Sequence, residues 1–277
     1  MVRIDRDLLK NALKQESTCP FPFVLHIYDT VSSTNSVLWE LIDRGATEGT
    51  VVIAAQQTAG RGQRGHQWRS PLGGLYLSLA LTPKMGAQNA LLLTISSAWG
   101  IATTWRQLPS SSDPDQPRIP VQLKWPNDLI LKERKLGGIL TETRVQRGKI
   151  VKAVVGVGIN WENPVPEIGI NLKSFLASDP RPLVTSLEKL AAMTLQGIVW
   201  GYQQAQLQPM GKLLSSYQQL LTSMARPVLV DGHPGLVTGI SACGKLRVRL
   251  NPTSGAPGSE ITIEPGKISL GYDPPRS

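Results

Sequence analysis

A glycine- and arginine-rich segment, GRGQRGHQW (residues 60–68), follows the apolar run VVIAA. Glycine lets backbone N–H groups approach a ligand closely, and a guanidinium binds carboxylate or phosphate through paired hydrogen bonds. Residues 49–112 contain no Asp or Glu, so no acidic side chain lies near Arg61, Arg64 and Arg69 in the sequence. We therefore predict an anion-binding loop, with a solvent-exposed basic hairpin loop as the alternative.

The same glycines match the GxGxxG spacing of dinucleotide-binding proteins. That fingerprint also requires a helix that begins within the glycines and an acidic residue about 20 positions later. Here residues 75–81 alternate like a second strand, and the acidic residue is absent. The phosphate-binding pattern GxxxxGK[ST] is absent as well. The sequence therefore predicts a loop between two strands and excludes a Rossmann-type site.

Two further segments carry candidate chemistry, KWPND (124–128) and KLGGIL (135–140). Pro126 is incompatible with a regular central strand, so the chain must turn there. A lysine, an amide and a carboxylate within five residues suit a phosphate and its magnesium, although an Asn-Asp turn is the simpler alternative. Together with VGVGIN (155–160), these glycine-containing strand ends predict a nucleotide-plus-carboxylate pocket on one sheet.

Composition limits the class of protein. The 277 residues are 41% hydrophobic, enough for a substantial core, and the net charge of +9 favours an anionic partner. Cys19 and Cys243 are too far apart in sequence to indicate a disulfide framework or a cysteine-rich metal site. The charged N-terminus does not fit a signal peptide, and no apolar run approaches the about 18 residues of a membrane span. We predict a cytoplasmic protein without a membrane segment.

The pattern of elements predicts an α+β fold. Strands are expected at 23–28, 51–55, 75–81, 121–125, 129–132, 138–145 and 150–159, with a hairpin turn at 133–135 and an exposed loop at 109–120. Helices are expected after the capping residues 32–35 and at 87–108, 183–206 and 210–224. Short strands from 227 to 271 are consistent with a small β-barrel. We place the domain boundary after Arg226, giving domains 1–226 and 227–277.

In this combination the motifs resemble the biotin protein ligases. The matching segments are Ser33-Thr34-Asn35 and residues 57–68, 124–128, 135–140 and 156–160, in the order found in that family. The resemblance covers nearly the whole chain. It implies a mixed-sheet catalytic domain of the biotin/lipoate-ligase type followed by a C-terminal SH3-like β-barrel.

The resemblance also implies a two-step reaction. Biotin and ATP, with Mg²⁺, first form biotinyl-5′-AMP and pyrophosphate; a lysine of the biotin carboxyl carrier protein of acetyl-CoA carboxylase then displaces AMP. Because two anions must meet, positioned cations and backbone donors would offset their repulsion.

Residue roles follow from the resemblance. The implied biotin-binding residues are Ser33, Thr34, Asn35, Gln57, Arg61, Gly62, Gln63, Lys135, Gly137 and Gly138. The implied catalytic residues are Arg61, Lys124 and Lys135. The implied ATP-binding residues are Trp68, Lys124, Asn127 and Asn160, with Asp128 as a candidate Mg²⁺ ligand. From the residues alone, these roles are supported only as a cluster.

Two features depart from the family pattern. Longer relatives carry an N-terminal winged-helix domain, whereas here the pattern begins at Ser33, so we predict no specific DNA binding. Gln63 and His66 stand where the family often has arginine, and we predict faster loss of biotinyl-AMP as a result. The sequence leaves a homodimer open.

Two alternative functions remain. A lipoate-protein ligase would share the fold and the adenylation step, but its usual RRxSGGG-type loop is missing. A non-catalytic basic module that binds nucleic acid is the other alternative. Single-strand binders usually stack bases on aromatic rings, and Tyr272 is the only aromatic residue after Tyr217.

Overall fold

The computed structural model describes residues 4–16, 21–108, 119–177, 179–180, 182–252, 258–268 and 270–271. Most of the loop expected at 109–120 lies outside these residues. The helices are α1 (Arg6–Glu16), α2 (Thr34–Asp43), α3 (Ala90–Arg106), α4 (Leu172–Leu176), α5 (Leu187–Leu207) and α6 (Met210–Gln219). The strands are β1 (Val24–Val31), β2 (Thr50–Gln57), β3 (Leu75–Leu81), β4 (Gln122–Lys124), β5 (Asp128–Leu131), β6 (Arg134–Gln146), β7 (Lys149–Ile159), β8 (Pro227–Val230), β9 (His233–Ile240), β10 (Leu246–Leu250) and β11 (Glu260–Ile263).

The larger sheet has seven strands in the order β1-β2-β3-β7-β6-β5-β4. Strands β1 and β2 are parallel, because α2 forms the crossover between them. The remaining neighbours are antiparallel, including the long β6–β7 hairpin. The sheet is therefore mixed, with β7 and β3 near its centre.

Helices cover both faces of the large sheet, and the apolar residues of its central strands alternate accordingly. Val52 packs with Leu38 and Ile42 of α2, whereas Val51 and Ile53 belong to the core on the opposite face. Every residue of β3 is buried for this reason.

Helices α3 and α5 approach each other closely on that opposite face. A Cβ atom added at Gly100 of α3 would collide with the backbone oxygen of Gly197 in α5. The rings of Trp99 and Trp200 pack beside this crossing, with centroids 4.7 Å apart. The two helices pack against the face of the sheet opposite to α2.

The smaller sheet is antiparallel, in the order β11-β10-β9-β8. Its buried residues join the same apolar core as the larger sheet. Trp125 Nε1 donates to the Gly244 oxygen at 2.8 Å, and the Ile240 N–H donates to Gln218 Oε1 at 2.9 Å, so hydrogen bonds also cross between the two parts. Strand β8 begins at Pro227, next to the predicted boundary; the division into domains 1–226 and 227–277 stays a prediction.

Several local expectations need correction. The hairpin turn lies at Lys132 and Glu133, both with left-handed φ (48° and 60°), so Lys135 lies inside β6 instead of in the turn. Ser33 occupies the N-cap position of α2, but its side chain makes no capping hydrogen bond. Helix α6 ends at Gln219, short of the predicted 224.

Helices α1 and α4 were not predicted. Helix α1 is mostly polar and buries Leu9, Ala12 and Leu13, whereas Leu8 is exposed. Helix α4 has only five residues, too few for a clear periodic pattern. Among the residues that the structure describes, no helix combines the length and the apolar character needed to cross a bilayer.

Candidate active site

A cavity of about 340 Å³ lies at one end of the large sheet, within the size range of small-molecule sites. It brings together the three sequence motifs, although they are far apart along the chain. Its lining comprises Ser33, Thr34, Asn35, Gln57, Arg61, Gly62, Gln63, Arg64, His66, Gln67, Trp68, Lys124, Trp125, Pro126, Asn127, Asp128, Lys135, Gly138, Ile139, Leu140, Gly156, Val157, Gly158, Gly266, Ile268 and Leu270. Gly266, Ile268 and Leu270 belong to the segment after β11, so the C-terminal part of the chain contributes to the cavity.

Two glycines of β7 make room for polar side chains in this cavity. A Cβ atom at Gly156 would collide with Asn35 Oδ1, and one at Gly158 would collide with Trp68 Nε1. Both side chains can lie against the strand only because these positions have no side chain. The glycines of VGVGIN therefore shape the site instead of supplying a phosphate loop.

A network of polar side chains forms one end of the cavity. The Thr34 N–H donates to Gln57 Oε1 at 2.8 Å, and Ser78 Oγ lies 2.8 Å from Thr34 Oγ1 and 2.6 Å from Asn35 Oδ1. Thr34, Asn35 and Ser78 are buried. Such a network holds donors and acceptors in fixed directions, as recognition of a small polar group requires.

Ser78 was missed at the sequence level. It is the only serine in LYLSLAL (residues 75–81), where Tyr76 is the other residue with a hydroxyl, and it is fully buried at the centre of the sheet. A buried hydroxyl must find partners, and that requirement was the available signal.

The GRGQRGHQW loop folds back on itself. The Gly62 N–H donates to the His66 oxygen at 2.7 Å, and the Trp68 N–H donates to the Gly60 oxygen at 2.9 Å. Arg64 adopts a left-handed φ of 56°, and its guanidinium lies against Gly266 of the C-terminal segment. The loop therefore closes one side of the cavity.

Arg61 is not in an acid-free environment, contrary to what its sequence neighbours suggest. Its Nη2 lies 2.5 Å from Oε1 of Glu142, a residue of β6. The expectation was wrong because it counted acidic residues along the chain, whereas β6 reaches this loop only in the folded sheet.

The two motif lysines, Lys124 and Lys135, also line the cavity. Lys135 Nζ is 2.8 Å from Asp128 Oδ1 and 5.3 Å from the centre of the Trp68 ring. Burial lowers the pKa of Lys124 to about 8; Asp128 raises it, while Lys135 and Arg226 lower it further. Two ammonium groups and one carboxylate thus share this part of the site.

Hydrogen bonds hold the KWPND segment in place. Asn127 Nδ2 donates to the Ile139 oxygen at 2.9 Å, and the Ile139 N–H donates back to the Asn127 oxygen at 3.0 Å. The buried Tyr217 hydroxyl donates to the Pro126 oxygen at 3.1 Å. Burial and the neighbouring Asp128 both raise the pKa of Tyr217, which keeps this hydroxyl protonated.

Gly137 and Asn160 do not line the cavity. A Cβ atom at Gly137 would lie 2.7 Å from the Gly158 oxygen, so Gly137 permits close strand pairing. Asn160 Oδ1 accepts from Asn163 Nδ2 at 3.0 Å, and Asn160 Nδ2 donates to the Lys135 backbone oxygen at 3.4 Å. Their assignments to biotin and to ATP stay predictions, and the geometry adds no support to them.

The donor set fits Mg²⁺ only in combination with phosphate. No group of three or more His, Cys, Asp or Glu side chains is arranged to hold a metal within the described part of the chain. Mg²⁺ is usually bound by one or two carboxylates together with substrate phosphates and water. Asp128, which faces the cavity beside Lys124 and Lys135, fits such a role as a single carboxylate.

Comparison with known proteins agrees with this geometry. Residues 27–160 match the family described as "Biotin/lipoate A/B protein ligase family". The bifunctional ligase/repressor BirA of Escherichia coli is 30% identical over 225 residues, which cover 79% of this chain and 67% of BirA. The BirA of Bacillus subtilis is 32% identical over 152 residues, and the match spans 54% of this chain but only 44% of that relative.

Solved structures show the same fold. The biotin protein ligase from Aquifex aeolicus in complex with biotin and ATP superimposes with a TM-score of 0.69 at 25% identity, covering 91% of this chain and all of that one. The predicted α+β class and the resemblance to biotin protein ligases are confirmed, and the second sheet is compatible with an SH3-like domain. This chain belongs to the biotin/lipoate A/B protein ligase family.

Proposed function

We propose that the protein is an ATP-dependent biotin protein ligase that attaches biotin to a lysine of the biotin carboxyl carrier protein of acetyl-CoA carboxylase. One observation carries the proposal: a single cavity joins a buried polar network to cationic side chains that include Arg61, Lys124 and Lys135. The Aquifex relative, whose structure contains biotin and ATP, supports the choice of substrates.

In the first step, a carboxylate oxygen of biotin attacks the α-phosphorus of ATP. A C–O–P anhydride forms, the bond from the α-phosphorus to the bridging oxygen breaks, and pyrophosphate leaves with its electron pair. The carboxylate and the triphosphate repel each other, and fixed cations in a sheltered cavity offset that repulsion. Arg61 and the two lysines, which all line the cavity, are suited to this task.

Thr34, Asn35 and Gln57 of the polar network, together with Ser33, would bind the ureido head of biotin. Arg61, Gly62 and Gln63 would face its carboxyl end, with Lys135 and Gly138 near the reacting oxygens. Lys124 and Asn127 would face the phosphates, and Trp68 would contact adenine. Mg²⁺, when bound with ATP, would neutralise phosphate charge, and Asp128 would be its protein ligand.

In the second step, the neutral amine of the carrier lysine attacks the carbonyl carbon of the anhydride. An amide bond forms, the bond between the carbonyl carbon and the phosphate oxygen breaks, and AMP leaves. The amine releases a proton to water. The acceptor lysine must reach the cavity from solvent. Most residues on the loop side of the cavity are exposed, so an acceptor side chain can enter there.

The test is ATP–pyrophosphate exchange by the purified protein with biotin, with lipoate and with neither. Exchange only with biotin supports the adenylation step, and transfer to a carrier protein is then assayed with labelled biotin. Exchange with lipoate alone would change the substrate but keep the mechanism. Absence of exchange in folded protein would contradict the proposal and favour a basic binding module.

A further inference from the structure

Glu142 lies outside all three motifs, yet its carboxylate contacts three polar side chains, two of which, Asn35 and Arg61, line the cavity. Oε2 accepts from Asn35 Nδ2 at 2.8 Å and from Trp39 Nε1 at 3.3 Å, while Oε1 lies 2.5 Å from Arg61 Nη2. Its side chain is 21% exposed, compared with 48% for Arg61. One carboxylate therefore connects the loop, helix α2 and strand β6.

This contact extends through a continuous network of hydrogen bonds. From Glu142 it runs to Asn35, then to Ser78, Thr34 and Gln57. Gln57 Nε2 donates to Ser70 Oγ at 2.8 Å, and that hydroxyl donates to the Trp68 oxygen at 3.0 Å. The network joins Arg61, near the start of the loop, to its last residue.

Glu142 also sets the direction of the Asn35 carboxamide. An amide has one donor end and one acceptor end of similar shape, so its neighbours decide which way it faces. A carboxylate accepts only, and it therefore directs the nitrogen of Asn35 toward itself and leaves Oδ1 for the Ser78 hydroxyl. Reversing the amide would place oxygen against oxygen.

Glu142 also restricts the orientation of the Arg61 guanidinium. It contacts one terminal nitrogen of the guanidinium, and the remaining N–H donors stay available for a paired interaction with a second carboxylate. Without that contact, a half-exposed arginine on a glycine-rich loop would sample many rotamers, and binding would have to bear the entropy of ordering it.

We propose that Glu142 is a positioning residue that presents Arg61 to the carboxylate of the substrate and Asn35 to its polar head. The inference rests on the proposed function, since the carboxylate substrate is biotin. Glu142 acts at the binding step, before the bond to phosphorus forms. Its loss therefore weakens binding of the carboxylate substrate more than it slows the chemical step.

The main variant is Glu142→Gln, which retains an acceptor oxygen for Asn35 and Trp39 but loses the charge that holds Arg61. The matched control is Glu162→Gln, which removes a comparable ion pair, with Lys173 at 2.5 Å, away from the cavity. Exchange kinetics give KM for biotin, KM for ATP and kcat, and thermal unfolding reports the stability of each variant.

We expect Glu142→Gln to raise KM for biotin about tenfold, the scale of one charge-assisted hydrogen bond. KM for ATP and kcat stay within about twofold of wild type, and the midpoint of thermal unfolding stays within a few degrees. Glu162→Gln leaves all of them unchanged. A KM for biotin equal to that of wild type, or a loss confined to stability, would overturn the inference.

A double-mutant cycle separates positioning from a structural role. Biotin binding is measured by calorimetry for Arg61→Ala, Glu142→Gln and the double variant, so turnover is not needed. If Glu142 acts through Arg61, its substitution weakens binding little further once Arg61 is absent. Additive losses would refute the coupling. If wild type catalyses exchange and Glu142→Gln has the same KM for biotin, this inference alone is wrong. If folded wild type catalyses no exchange, the proposed function is wrong and this inference with it.

Discussion

Lys135 Nζ lies 2.8 Å from Asp128 Oδ1, and both side chains are largely buried at the cavity wall, with 26% and 13% of their surface exposed. The residues come from the two strands β6 and β5, which pair antiparallel beside the site. The carboxylate directs the ammonium and also faces the region proposed for the phosphates. The pair therefore links a proposed catalytic cation to the proposed metal ligand.

Asp128→Asn tests this link. We expect about a hundredfold slower ATP–pyrophosphate exchange, because Lys135 loses its charged partner and Mg²⁺ loses its proposed protein ligand. The measurement is exchange rate against MgCl₂ concentration, in which the variant should need more magnesium. Asp231→Asn is the control, since Asp231 is an exposed turn residue with a φ of 48° that asparagine tolerates. Wild-type magnesium dependence in Asp128→Asn would rule out the metal role.

The lowered pKa of Lys124 predicts pH-dependent ATP binding. Its pKa falls from 10.5 to about 8, chiefly through burial, so the side chain is charged below pH 8 and neutral above it. We expect the Kd for ATP to rise above pH 8, approaching about tenfold per pH unit. Lys124→Arg stays charged and should remove most of this dependence. A flat profile in wild type between pH 7 and 9.5 would contradict the assignment.

The same shift has a consequence for stability. Between the folded pKa of about 8 and the ordinary value of 10.5, the unfolded chain holds the Lys124 proton more tightly than the folded chain. The contribution of this group to the free energy of unfolding therefore increases as pH rises through that window. Comparing urea unfolding of wild type and Lys124→Met at pH 7.5 and pH 10 isolates it; equal changes in both proteins would show that Lys124 contributes nothing.

Gln63 lines the cavity at the position where the family often has arginine. We expect Gln63→Arg to lengthen the dissociation half-life of bound biotinyl-AMP, because an added guanidinium holds the phosphate more tightly. The measurement is loss of labelled adenylate from the preformed complex in a dilution experiment. Gln219→Arg, at the exposed end of α6 and outside the cavity lining, controls for added charge alone. An unchanged half-life in Gln63→Arg would contradict the prediction.

Gly158 determines where Trp68 lies. A methyl group there would collide with Trp68 Nε1, so Gly158→Ala should displace the indole and weaken ATP binding by about tenfold. Two measurements check this. The fluorescence of Trp68 is obtained as the difference between spectra with and without the Trp68→Phe substitution, and ATP affinity is obtained by titration. Gly211→Ala is the control, because its added methyl group meets nothing within 4 Å in helix α6. Wild-type ATP affinity in Gly158→Ala would exclude the proposed role of Trp68.

The three motifs and their order were readable in the sequence because their signals are local. Glycine and proline positions, strand alternation in residues 75–81 and 150–159, and the lysines that precede Trp125 and Gly137 depend only on neighbouring residues. These features predicted one pocket on one sheet and a cationic site for two anions. The predictions about DNA binding, a homodimer and cytoplasmic location stay predictions.

Contacts between distant segments could not be read in the same way. Glu142 and Ser78 lie 81 and 17 positions beyond Arg61 in a chain whose strand order is not sequential, so no spacing rule brings them to the site. The lowered pKa of Lys124 depends on its burial in the folded protein and on the charges of Asp128, Lys135 and Arg226. Local sequence determined which residues can do the chemistry, and tertiary packing alone decided which carboxylates hold Arg61 and Lys135, because charge pairing depends on distance in space.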